Sequence, residues 1–268
     1  MKKIGVIGCG TIGREIASAV HSGQVRALLA GVADQTPEIA NAVMKEAGIA
    51  VPCMSVEALL DACDIAVEAT SQAAAAVILE AALARGRDLV LLSAGALLPH
   101  YRKIRARADA AGCVIYVPSG ALAGLDGVKG AVIGEVDTVT LTTTKPPEGL
   151  VGVKYLEKKG IDVLSFDAPT EVFSGTAREA VPLFPANINV AAALSMAGAG
   201  PDKTRVRIIA DPFCTRNTHE LRVQGTFGAL TTRTENLPAL FNPKTSAMAA
   251  LSAIALLREI TSSLRIGT

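Results

Sequence analysis

The stretch Ile4-Gly5-Val6-Ile7-Gly8-Cys9-Gly10-Thr11-Ile12-Gly13 decides the architecture of this chain. Ile4–Ile7 has the apolar, β-branched character of a buried strand. It runs directly into G-x-G-x-x-G and then into helical spacing over Thr11–Val20. At such a junction the first glycine permits a tight turn, Gly10 lets the backbone approach a pyrophosphate, and Gly13 allows helix and strand to pack closely. The helix N-terminus, opening at Thr11 and Ile12, aims unpaired N–H groups at the anion. A glycine loop alone also suits an ordinary turn. Here, however, Asp34 closes the next strand about 20 residues beyond Gly13, the spacing of a carboxylate that accepts from ribose hydroxyls. Gly8, Gly10, Thr11, Ile12, Gly13 and Asp34 are therefore the expected dinucleotide-binding residues. The charge of Asp34 would repel a 2′-phosphate, so NAD is expected over NADP. Neutral Gln35 and Thr36 leave NADP usable as a second choice.

Outward from this junction the same rhythm repeats. Ile4–Ile7, Leu28–Ala33, Ile65–Ala69, Leu89–Leu92 and Val114–Val117 read as strands, separated by helical spacing over Thr11–Val20, Glu38–Ala47, Gln72–Arg85 and Leu98–Ala111. Gly23, Gly48, Gly86 and Gly112 stand where helix C-terminal caps belong. The expectation is an α/β fold whose N-terminal Rossmann domain, 1–118, is a doubly wound parallel sheet with right-handed crossovers. Past Pro118 the texture changes. A small-residue segment, Pro118–Gly124, leads to a Thr-rich strand at Val139–Thr144 and a break at Pro146-Pro147. Further runs at Thr204–Ala210 and His219–Thr232, with a helix around Ile188–Met196 between them, predict a C-terminal α/β catalytic domain, 119–244, with a mixed or antiparallel sheet. Helical spacing over 245–265 is expected to pack back onto the first domain.

Composition narrows the partners. The chain has 268 residues, half of them apolar, 3% aromatic and 19% charged, so its cores are filled by Ala, Val, Leu and Ile. A formal net charge of +1 offers no field to gather nucleic acid or an anionic membrane, and small-molecule partners are expected instead. Cys9, Cys53, Cys63, Cys113 and Cys214 are scattered and odd in number, which suggests neither a disulfide framework nor a metal site, and fits a reducing cytoplasm. Lys2-Lys3 before apolar residues faintly resembles a signal peptide, but Gly8, Gly10, Gly13 and Arg14-Glu15 break the run. No apolar stretch reaches the roughly 18 residues of a spanning helix.

Several polar strings interrupt the apolar second half: Thr144-Lys145-Pro146-Pro147, Phe184-Pro185-Ala186-Asn187-Ile188-Asn189-Val190-Ala191, Asp211-Pro212, Arg216-Asn217-Thr218-His219-Glu220 and Asn242-Pro243-Lys244-Thr245-Ser246. Together with the glycine loop and Pro118–Gly124 they resemble the L-aspartate dehydrogenase family over nearly the whole chain. The resemblance implies a homodimer that converts L-aspartate, with NAD(P), to iminoaspartate, which hydrolyses to oxaloacetate and ammonia and in bacteria can feed NAD biosynthesis. It also implies that His219 is the catalytic histidine and that Ala123 and Asn189 contact the nicotinamide end of the cofactor.

The chemistry of the residues partly supports these assignments. Removing a hydride from an amino-acid Cα requires a neutral amine, hence a base tuned near neutrality, and histidine suits this. His21 ends the first helix and His100 opens a basic helix, so solvation or dipole pairing accounts for them, whereas His219 sits among polar residues beside a strand. Two substrate carboxylates need fixed cations or donors, for which Lys145 and Lys244 are the candidates, with Asn187, Asn217 and Thr245 as neutral donors. A lysine is more often a solvated surface charge, and Asn187 before a helix is also a plausible cap. A sugar oxidoreductase would carry Glu-Lys-Pro where this chain has Ser93-Ala94-Gly95-Ala96. A semialdehyde dehydrogenase would need an activated cysteine, for which only Cys214 lies near His219 in sequence. A homoserine-type dehydrogenase and a non-catalytic NAD(H) sensor share the first domain and differ in the second. Asp34→Ala is expected to weaken NAD binding while sparing or improving NADP; titration of both dinucleotides checks this, and equal losses for both would remove the assigned role.

Overall fold

A computed structural model describes residues 1–184, 188–239 and 242–267, with nothing said of the side chains of 238 and 242–245. The chain divides into two compact units, one of residues 1–120 and 249–267 and the other of residues 121–248.

The first unit alternates strand and helix: β1 (Lys2–Ile7), α1 (Thr11–His21), β2 (Ala27–Ala33), α2 (Pro37–Glu46), α3 (Val56–Ala62), β3 (Ile65–Glu68), α4 (Gln72–Ala84), β4 (Asp88–Leu91), α5 (Tyr101–Ala111) and β5 (Ile115–Tyr116). The strands form one parallel sheet in the order β2-β1-β3-β4-β5. Order reverses between β1 and β3, and there the carboxyl ends of the strands open a crevice. All four buried residues of β3 and the apolar ends of β1 and β4 reflect a sheet covered on both faces. Gly23, Gly48, Gly86 and Gly112 all have positive φ and end their helices in the left-handed turn that a Cβ disfavours. Two departures from the sequence reading occur here. A short helix, α3, precedes β3, capped by Ser55 accepting from Ala58 N–H and holding Leu59 and Leu60 in the core. The stretch from Leu98 begins as a 3-10 turn before α5 takes over at Tyr101.

The second unit contains α6 (Leu125–Ala131), β6 (Val136–Lys145), α7 (Lys154–Lys158), β7 (Thr170–Thr176), α8 (Ala177–Leu183), α9 (Asn189–Ala197), β8 (Thr204–Ala210), β9 (Asn217–Gly225), β10 (Gly228–Asn236), β11 (Pro238–Ala239) and β12 (Asn242–Ser246). Its main sheet has the order β10-β9-β6-β8-β7 and is mixed, with β6 parallel to β8 and the other pairs antiparallel. The single run read over His219–Thr232 is in fact a hairpin, β9 and β10, turning at Thr226-Phe227. Edge strand β7 escaped the sequence reading because Glu171, Ser174 and Gly175 give it little apolar signal. A reciprocal capping box, Thr176 with Glu179, starts α8 directly from that strand, an arrangement that stabilises by about 1 kcal/mol.

Strict alternation divides the two faces of this sheet. Val139, Leu141, Thr143 and Lys145 of β6, Val206, Ile208 and Ala210 of β8, and Asn217, His219, Leu221 and Val223 of β9 are buried, and α8 and α9 pack on the sheet at β7 and β8. Each large apolar side chain on that inner face contributes about 1.5–3 kcal/mol by leaving water. The last helix, α10 (Ala247–Ile260), sends Ala253, Ile254 and Leu257 into the core of the first unit beside Ile4, Ile16 and Val32.

Candidate active site

In the first unit the turn after β1 is set by close packing. Gly8 has φ +96°, and a Cβ there would lie 2.5 Å from the Ala69 carbonyl oxygen. A Cβ on Gly13 would lie 1.8 Å from the Gly8 oxygen, so α1 can approach β1 only with glycine at that position. Gly10 differs, because a Cβ there meets nothing within 4 Å. That free space beside the helix N-terminus is the cradle a pyrophosphate requires. Thr11 and Ile12 begin α1, Ile12 with its side chain against the hydrophobic core and its backbone in the first turn. Asp34 reaches back to the loop: its Oδ2 accepts from Cys9 N–H at 2.7 Å and its Oδ1 from Thr36 N–H at 3.0 Å. The carboxylate is thus fixed at the end of β2 beside the glycine turn, where a ribose would need it. The residues present fit a dinucleotide.

In the second unit the alternation of β6 and β9 gathers a polar cluster on the otherwise apolar inner face. Thr143 and His219 are directly opposite in register, and Thr143 Oγ1 lies 3.0 Å from His219 Nδ1. Lys145, two residues beyond Thr143, and Asn217, two before His219, share the face. His219 is 4% exposed and Lys145 5%, so both are effectively out of water. Burial lowers the Lys145 ammonium from the ordinary lysine value to about 8. Burial first, and then the Lys145 charge, lower His219 to about 3. The sequence reading expected a base tuned near neutrality; in the protein without substrate the imidazole is instead held well below it.

The neighbouring strand ties down the segment that carries Ala123. Thr234, opposite His219, donates from Oγ1 to the Ala121 carbonyl, Asn236 donates from Nδ2 to the same carbonyl, and Thr232 donates to the Ala123 carbonyl. Ala123 itself is exposed, and Asn189 is half-buried as the first residue of α9. Asn187 lies outside the described residues. Lys244 and Thr245 lie on β12, but their side chains are likewise outside the description. The structure therefore brings Lys145, Asn217 and His219 together and adds Thr143 and Asn236. Those two were missed because a threonine in a Thr-rich strand and an asparagine at a strand end carry no distinguishing sequence signal.

Cys214 falls on the other side. With Thr144, Thr218 and Glu220 it lines a cavity of about 510 Å³ on the outer face of the sheet, away from the inner-facing imidazole. Burial and Asp211 raise its thiol above the ordinary value, the opposite of an activated nucleophile.

Residues 126–260 match the family model described as aspartate dehydrogenase, C-terminal, and residues 8–118 match homoserine dehydrogenase, NAD binding domain. The L-aspartate dehydrogenase of Methanocella arvoryzae is 46% identical to this chain over 270 residues, covering the whole of both. The chain belongs to the L-aspartate dehydrogenase family. Among solved structures, aspartate dehydrogenase from Thermotoga maritima shares the fold with a TM-score of 0.75 at 23% identity, covering both chains fully. The myo-inositol dehydrogenase of Lactobacillus casei, solved with NAD(H) and myo-inositol, shares it with a TM-score of 0.58 at 16% identity over 97% of this chain and 85% of that one. The family's fold is thus an NAD(H)-binding Rossmann domain followed by a mixed-sheet domain, as the sequence indicated.

Within this family member the glycines separate folding from binding. Gly10→Ala is expected to fold with an unchanged melting temperature but to lose NADH affinity by about tenfold or more, since its Cβ would occupy the cradle. Gly13→Ala is expected to lower the melting temperature as well. Thermal melts and NADH fluorescence titrations distinguish the two, and a Gly10→Ala protein that binds NADH normally would contradict the cradle.

Proposed function

We propose that this chain catalyses NAD(P)-dependent oxidative deamination of L-aspartate to iminoaspartate, which hydrolyses to oxaloacetate and ammonia. The observation that carries the reading is the buried Lys145–His219 pair on one desolvated face, in a chain 46% identical to an L-aspartate dehydrogenase.

Lys145 supplies a fixed positive charge for one substrate carboxylate, and Asn217 a neutral donor. Asn187, Lys244 and Thr245 are proposed, on the family resemblance, to complete the substrate contacts. In the tautomer in which His219 Nδ1–H donates to Thr143 Oγ1, Nε2 keeps its lone pair for the substrate, and this is the tautomer the reaction uses. Burial is the larger cause of the depressed imidazole and the Lys145 charge the smaller; a substrate carboxylate next to Lys145 offsets the smaller one, so His219 gains basicity when the substrate arrives. It then takes a proton from the substrate ammonium, and the freed amine lone pair forms the C=N bond as hydride departs from Cα. The nicotinamide, when bound, supplies the hydride acceptor. Ala123 and Asn189 are proposed to contact its nicotinamide end. Asp34 favours NAD, with NADP as a weaker alternative. We further propose a homodimer in a reducing cytoplasm, with iminoaspartate available to NAD biosynthesis; the family resemblance and the cysteine pattern support these readings.

A protein that merely sensed NAD(H) would have no use for a buried lysine and imidazole gathered on one face of its second sheet. Steady-state dinucleotide reduction by the purified protein, with a panel of amino and hydroxy acids and both cofactors, is expected to select L-aspartate. Absence of turnover with either cofactor, in protein that binds NADH, would overturn the proposal. His219→Ala is expected to reduce kcat about 10²-fold or more, and near-normal turnover would exclude the imidazole as base.

The low Lys145 value predicts a pH dependence. Succinate, a dicarboxylate without an amine, should inhibit well below pH about 8, where Lys145 keeps its proton, and weaken up to about tenfold per pH unit as pH rises beyond it. Before succinate binds, His219 is neutral throughout that range, so the fall in affinity above pH about 8 belongs to Lys145. Inhibition constants measured from pH 6.5 to 9.5 check this. Lys145→Met should bind succinate weakly at every pH, and an unchanged slope in that variant would remove Lys145 from the substrate site.

A further inference from the structure

Glu68 is a fully buried carboxyl, 0% exposed, at the carboxyl end of β3. Its surroundings are donors. Thr70 N–H and Thr70 Oγ1 each donate to Oε1 at 2.7 Å, Ser93 Oγ donates to Oε1 at 2.9 Å, and Ser93 N–H donates to Oε2 at 3.0 Å. Among the described residues no salt bridge reaches it. An apolar side chain here would strand those donors, and a glutamine would turn its own NH2 against at least one of them. Only a carboxylate, which accepts on both oxygens, satisfies the whole set.

The position of those donors gives Glu68 its consequence. Thr70 belongs to the loop after β3 and Ser93 to the turn after β4, so one side chain ties two segments separated in sequence. The first segment forms the wall opposite the glycine turn at the point where strand order reverses, since a Cβ on Gly8 would touch the Ala69 carbonyl and Thr70 Cγ2. A dinucleotide laid along the Gly8–Gly13 loop has this wall as its other side.

We propose that Glu68 is a positioning residue for the cofactor: it clamps the 69–71 loop to the Ser93 turn and so holds the second wall of the dinucleotide crevice in its binding geometry. It does so without touching the cofactor. Preorganisation of this kind appears in affinity, because a loop that must be ordered on binding lowers the observed constant.

The test is direct NADH binding by fluorescence titration, which needs no amino acid and so stands apart from the aspartate reaction. Glu68→Gln is expected to weaken NADH about tenfold or more. KM for NAD should rise in parallel, with kcat at saturating NAD within about threefold of the parent. Amide hydrogen exchange should accelerate at Thr70 and Ser93 while β1 and α1 remain protected. Ser93→Ala and Thr70→Val, which each remove one hydroxyl and leave both backbone donors, should give smaller losses of about two- to fivefold. A folded Glu68→Gln protein with unchanged NADH affinity would overturn the proposal. If Glu68→Gln does not fold, the hydroxyl variants decide, and unchanged affinity in both would equally overturn it.

Discussion

The approach of α1 to β1 at the glycine turn is the constraint on which the first unit depends. With the Gly8 oxygen where the Cβ of residue 13 would stand, helix and strand meet at a separation that no other residue allows. That contact fixes the direction in which the helix leaves the sheet, and its unpaired N–H groups consequently face the crevice between β1 and β3. Asp34 and the loop after β3 are arranged around the same turn, one by accepting from Cys9 N–H and the other by packing on Gly8. A dinucleotide site therefore follows from a steric requirement between two backbone segments, with charge added at its margins.

The second unit depends on desolvation. A β-sheet with one face covered ordinarily places apolar residues inward, and β6 and β9 obey this until their ends, where Thr143, Lys145, Asn217 and His219 replace them. Water is excluded there by the same packing that stabilises the sheet. The result is a lysine shifted to about 8 and an imidazole shifted to about 3, two groups whose charges respond strongly to an arriving anion. Interactions with a dicarboxylate are stronger in such surroundings than on an exposed surface, where solvent and salt would screen them.

Local patterns in the sequence carried much of this. The G-x-G-x-x-G after a β-branched run, Asp34 at its distance, and helix-capping glycines act within one or two elements, so they are legible without the rest of the chain. Strings around Lys145 and His219 marked out the candidate site of the second half. By contrast α3 and β7 are short and weakly patterned, and the β9–β10 turn has Thr226-Phe227 at its centre, with its glycines, Gly225 and Gly228, only flanking it inside one long β-branched run. Thr143, Asn236 and Glu68 are ordinary residue types whose importance lies in partners 76, 115 and 25 positions away.

The sequence by itself determined the fold class, the family and the cofactor loop, because each rests on periodicity, spacing or a run of neighbouring residues. Only the tertiary structure decided which side of the second sheet is dry, that Cys214 lies opposite His219 rather than beside it, and how far the imidazole lies from neutrality. Those properties come from strand register and burial, where a shift of one residue would exchange the two faces. They arise from long-range contacts, which no local segment encodes.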